Sequence, residues 1–199
     1  MIAQDIHKVD LLADGLLDYF QVTSPIKKTN TVNLLIEEVL RKHQVRLQEK
    51  GVNLIKKLEK DLPEIIIPDK QLRFILNSIL QYAVTLMPSH ETLGFLTQSF
   101  ILEEQPPEQT LFRKGEPYVE TTLFFTGFEK PVEPFGRRTE IERLQKEDSL
   151  DLVLRLAKES VHRNRGVMKL RGDEKETKLS ISLGFPVERR TVFRDLTDR

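Results

Sequence analysis

Apolar residues recur at two spacings along the chain, and the switches between them predict the order of elements. Residues 2–22, IAQDIHKVDLLADGLLDYFQV, carry Ile2, Ile6, Val9, Leu12 or Leu16, and Phe20 at helical spacing. TSPIKKTN breaks that pattern, with Pro25 as the stop. A second helix starts near Asn30 or Thr31 and runs through VNLLIEEVLRKHQVRLQEK, and Gly51 suits the left-handed position just past its end. VNLIKKLEKDLPEIIIP reads as a strand, a turn and a second short extended piece. Asp69 is placed to cap the next helix, KQLRFILNSILQYAVTLM, which is apolar over one wide face.

TLGFLTQSFIL follows as a strand, EEQPPEQTLFRKGEP as a polar, proline-rich loop, and YVETTLFFTGF as a strand rich in β-branched and aromatic residues. Residues 128–148 are polar and irregular, and a mobile segment is expected there. SLDLVLRLAKESVHR returns to helix, and GVMKLRG and KLSISLGFPV form a hairpin around DEKET. The tail ERRTVFRDLTDR has no strong pattern. The order is helix, helix, strand, helix, strand, strand, helix, strand, strand. It predicts an α+β protein, a two-layer α/β sandwich with an N-terminal helix. Helices 31–50, 69–87 and 149–163 are expected on one face of a mixed five-stranded sheet. Three parts follow: residues 1–28 as helix and linker, 29–188 as the main domain, and 189–199 as a tail.

Composition adds mostly exclusions. The 199 residues are enough for one good core, and 39% apolar with 31% charged residues is ordinary for a globular chain. Lys+Arg and Asp+Glu are equal at 31 each, so no charge draws the chain to nucleic acid or to an anionic membrane. The absence of cysteine removes disulfides and thiolate metal sites. No apolar run approaches the roughly 20 residues that would span a bilayer, so no membrane insertion is expected. Asp5, His7, Lys8 and Asp10 interrupt any signal-peptide core, and a cytoplasmic protein is expected. The four histidines, His7, His43, His90 and His162, are scattered and make no metal or triad spacing.

Several phrases together carry a likeness. LLDYFQ closes the first helix, and VNLLIEEVLRKHQVRLQEKGVNLIKKLEKDLPEI opens the main domain. QLRFILNSILQYAVTLMP forms the central helix, VEPF spans Val132 to Phe135, and GVMKLRGDEKETKLSISLGFP ends the sheet. In this order they resemble the catalytic, ATP-binding end of bacterial sensor histidine kinases, most closely the nitrogen-regulatory type. The likeness covers nearly the whole chain and lies in order and spacing. It implies the histidine-kinase-like ATPase fold, and residues 2–22 then resemble the second helix of the dimerisation hairpin.

The resemblance also implies where chemistry should sit, and there the residues depart from it. The family's central helix carries two Asn four residues apart, the second a Mg²⁺ ligand; here Ser78 and Tyr82 match them. A register one residue back gives Asn77 and Gln81. A neutral phenol is a poor ligand for a hard cation. The family's Asp-x-Gly reads the adenine amino group; here FFTGF puts Phe125 in place of Asp and keeps Gly127. No candidate for the adenine-reading role is seen near Gly127. The family's phosphate-cradling glycines become EDSLDL, with Ser149 and Asp151 at glycine positions. No phosphoacceptor motif of the form HE-x-x-x-P occurs.

The expected function is therefore a degenerate, pseudokinase-type domain that acts by protein contact in two-component signalling, with no cofactor. Ile2, Ile6, Val9, Leu16 and Phe20 form one apolar stripe for a partner. That partner is a second copy, a sensor kinase or a response regulator. The alternative is a divergent but active kinase domain, using ATP and Mg²⁺ to phosphorylate a histidine, with Asn77 and Gln81 replacing the lost pair. A vestigial pocket reused for a smaller, more apolar ligand is a third reading.

Overall fold

The computed structural model describes residues 31–103, 112–127, 149–172 and 177–187. The N-terminal helix expected over 2–22, the stripe from Ile2 to Phe20, the VEPF phrase, segment 128–148 and the tail all lie outside the described residues.

Helices α1 (Val32–Lys42) and α2 (Gln44–Glu49) come first, then strand β1 (Asn53–Leu58) and helix α3 (Asp69–Leu86). Strands β2 (Thr92–Ile101) and β3 (Pro117–Thr126), helix α4 (Ser149–Arg163), and strands β4 (Val167–Gly172) and β5 (Lys178–Pro186) complete the order. The five strands form one sheet in the order β1-β2-β3-β5-β4. Only β1 and β2 run parallel; the other pairs are antiparallel. The expected α+β sandwich is what the structure shows.

One sheet face is apolar by simple alternation. Val119, Thr121, Leu123 and Phe125 of β3 are buried, as are Leu179, Ile181, Leu183 and Phe185 of β5. The helices cover that face. Val32, Leu35, Ile36, Val39 and Leu40 form the buried stripe of α1, and Leu72, Ile75, Leu76, Ile79 and Ala83 the corresponding face of α3. Leu154, Ala157 and Val161 bring α4 into the same core. Within the helix layer α3 packs against both α1 and α4, and α4 also packs on β4.

Two expectations are corrected in detail. Helix 31–50 is interrupted at His43, whose backbone N–H donates back to Val39 and Leu40, so the segment is two helices. The cap residue of α3 is Pro68, not Asp69, which is the buried first residue of the helix. An acidic group in that first turn suits the helix dipole as well as a cap would. Gly51 adopts φ +62°, the left-handed conformation expected past α2.

Candidate functional site

Successive steps of i+4, i+3 and i+4 put Gln71, Ile75, Ser78 and Tyr82 on one stripe of α3. Asn164, just past α4, donates its side-chain N–H to the side-chain oxygen Oε1 of Gln71, so this stripe is turned toward α4. The contact joins the start of α3 to the end of α4, so the two helices run antiparallel. Tyr82, near the end of α3, therefore lies toward the start of α4. The chain leaves α3 directly into β2, and Leu93 of β2 is paired with Phe125 of β3. Tyr82 and Phe125 thus belong to the same end of the sandwich, and α3 packs against β3.

At that end the matched positions are filled with core. Tyr82 is 1% exposed and Phe125 0% exposed, and both join the single hydrophobic cluster. Ser78 is buried too, its hydroxyl donating to the Phe74 carbonyl 2.8 Å away within the helix. An aromatic ring buried in a close-packed core leaves no room for a second planar group at the same place. The backbone of Ser149 and Asp151 forms the first turn of α4.

Asn77 belongs to a different stripe. Its Oδ1 lies 2.7 Å from Nε2 of His43, across the contact between α1 and α3. Arg73, one turn earlier, reaches Glu38 of α1 through Nε at 2.9 Å and a second nitrogen at 3.0 Å. The Asn77 and Gln81 register therefore points its Asn at α1, away from the stripe that carries Tyr82. Burial holds the His43 imidazole below its ordinary pKa; the bond to Asn77 opposes this, and nearby Lys42 and Arg46 add to it. Lys50 donates to the carbonyls of Val84 and Met87 at 2.7 and 2.6 Å, capping the end of α3 from below. Burial, then Arg46, lowers its pKa.

A carboxylate does stand beside Gly127, which corrects the expectation from local sequence. Extending the Leu93–Phe125 pairing by two residues sets Glu91 opposite Gly127. The Thr126 hydroxyl donates to the Glu91 carboxylate at 2.6 Å and accepts from the Thr92 N–H at 3.0 Å. Gly127 has φ +81°, and a Cβ added there would meet Glu91 side-chain atoms at 2.4–2.6 Å. The kept glycine thus has a local reason: it gives passage to Glu91 in a conformation that other residues rarely adopt. Glu91 lies 36 positions before Gly127, so only the strand register could have revealed it.

Among the described residues no group of three or more His, Asp or Glu could hold a metal ion, and no helix is long and apolar enough to cross a membrane.

No protein-family model matches the chain, and no curated protein matches it by sequence. Solved structures do. The chain is similar to the catalytic domain of histidine kinase ThkA in a nucleotide-free form, at 12% identity and a TM-score of 0.58, over 79% of this chain and 93% of that one. It is similar to the Acinetobacter baumannii histidine kinase AdeS at 13% identity and a TM-score of 0.61, over 94% and 82%. The cytoplasmic segment of histidine kinase QseC gives 10% identity and a TM-score of 0.54, over 94% and 96%. At such identities the likeness is one of fold: the chain has the architecture of histidine-kinase catalytic domains.

Proposed function

We propose that this chain is a histidine-kinase-like domain that works by protein contact in two-component signalling and does not bind ATP. One observation carries the reading. At the positions matching the family's Mg²⁺-ligating Asn and adenine-reading Asp, the chain has Tyr82 and Phe125, and both are core side chains at 1% and 0% exposure. Ser149 and Asp151, in place of phosphate-cradling glycines, point the same way, since carboxylates beside a helix start repel a triphosphate. Fold and activity are separable, and here the fold outlasts the ligand.

The contact surface of this reading is the stripe Ile2, Ile6, Val9, Leu16 and Phe20, offered to a sensor kinase, a response regulator or a second copy. Burying roughly five such side chains contributes on the order of 10 kcal/mol, against about 4–15 kcal/mol lost on association. Binding through this stripe alone is weak.

Glu91 favours a second reading, a divergent but active ATP domain, because it supplies a carboxylate beside Gly127. That reading still requires Asn77 to leave His43 and Gln81 to serve as the partner ligand. Thermal melting separates the two. ATP with Mg²⁺ at about 100 times its dissociation constant would stabilise the fold by roughly 2.7 kcal/mol. An unchanged midpoint supports the contact module; a magnesium-dependent rise of several degrees supports the active domain.

A further inference from the structure

The sandwich is unfinished at one edge. Helix-facing side chains of β3 and β5 are buried, as are Leu93, Phe95 and Thr97 of β2, whereas β1 is exposed along nearly its whole length. Leu54 shows why. It pairs with Leu93 and faces the helix layer, yet it is 38% exposed while Leu93 is 0% exposed. Among the described residues α1 is the outermost helix on this side, and it stops short of covering β1. An open groove of about 760 Å³ results, with Leu34 and Leu54 on its walls and Leu40 and Leu47 beneath. Leu34 is 57% exposed. Lys56 and Glu37 bridge the two walls at 2.7 and 2.9 Å.

Other features carry less. The contact between His43 and Asn77 is satisfied within the fold, and the Glu91 carboxylate is held by Thr126.

We infer that this groove is the docking site of residues 2–22 of the same chain, packed as a further helix beside α1. The inference goes beyond the contact role proposed above and holds whether or not ATP binds. Three observations support it. The space lies between a helix and a sheet edge, so a helix with one apolar stripe completes the layer. The described chain starts at Thr31, at the beginning of α1, so residues 2–22 connect to the groove through only eight residues, 23–30. Eight residues reach at most about 28 Å, which suffices for an antiparallel neighbour and for little beyond it. A 21-residue helix is about 31 Å long, and the 18 residues of α1 and α2 with His43 span about 27 Å. The stripe from Ile2 to Phe20 would then cover Leu34 and Leu54. A partner that uses the same stripe has to displace it from this groove.

Hydrogen exchange on the full chain at low micromolar concentration tests this. Residues 2–22 are expected to exchange about tenfold or more slowly than an unstructured peptide. The double change Leu34→Asp with Leu54→Asp should abolish that protection and leave α3 protected. Val45→Asp, 68% exposed and outside the groove, should leave it intact. Protection that survives the double change, is absent in the wild type, or appears only as concentration rises overturns the inference, the last in favour of a second copy. If the double variant does not fold, a second measurement decides. The chain has no cysteine, so a spin label at Gln48→Cys, on the groove, is unique. It should broaden amide signals of residues 2–22 in its own chain and not in an unlabelled chain mixed with it. No broadening, or broadening only between chains, contradicts docking in cis.

Discussion

The helix layer ends differently at its two borders. Where α3 meets the end of β3, Tyr82 and Phe125 seal the interior at 1% and 0% exposure, and Glu91 closes over Gly127. Where α1 meets β1, Leu34 and Leu54 stand open at 57% and 38% exposure, and the layers part into a groove. The family resembled here keeps its nucleotide at the first border. In this chain large side chains fill the first border, and exposed Leu34 and Leu54 line the other.

Substitutions can break the contrast. Phe125→Ala should cost about 3–5 kcal/mol, because a buried ring leaves a cavity the packed core fills only in part. Leu54→Ala should cost under about 0.5 kcal/mol in a chain lacking residues 1–28. Denaturant titration measures both, and similar costs at the two sites would erase the distinction between closed and open borders.

Gly127→Ala sharpens the closed border further. The added Cβ meets Glu91 at a positive φ, so a loss of about 1–3 kcal/mol is expected. Removing the obstacle with Glu91→Ala should recover part of that loss, the remainder being backbone strain. If Gly127→Ala is neutral, Glu91 does not lie across this position.

Lys50→Met removes the cap from the end of α3, which leads into this border. About 1 kcal/mol should be lost, since Val84 and Met87 give up donors on a half-buried amine. An unchanged denaturation midpoint would show that water replaces the amine at no cost.

The smallest effect is one of pH. His43 has a lower pKa folded than unfolded, so the unfolded chain binds the extra proton first. Its contribution is complete above the ordinary imidazole pKa of about 6.5 and is lost as pH falls from there toward the folded value. Stability should therefore decline below about pH 6.5 in the wild type, and less steeply in His43→Gln. Parallel pH profiles for the two proteins would remove His43 as the cause.

Much of the fold was legible in the sequence because its elements are strongly periodic. α4 falls where SLDLVLRLAKESVHR places it, and α3 ends within a residue of expectation. Local pattern showed neither the break at His43 nor its bond to Asn77, 34 positions away. It could not show the exposed edge either: NLIKKL is legible as a strand, but the width of the helix layer that leaves Leu54 uncovered is not. At the candidate site the type of residue was legible, but its surroundings were not. Glu91 becomes a neighbour of Gly127 through the pairing of β2 with β3, which no local phrase encodes.

The central claim is that the border holding Tyr82 and Phe125 has no place for a nucleotide. Titration calorimetry of the full chain with ATP and Mg²⁺ tests it most directly. The account predicts no binding heat up to millimolar nucleotide. A magnesium-dependent isotherm with a dissociation constant in the micromolar range, about −8 kcal/mol of binding, would contradict it.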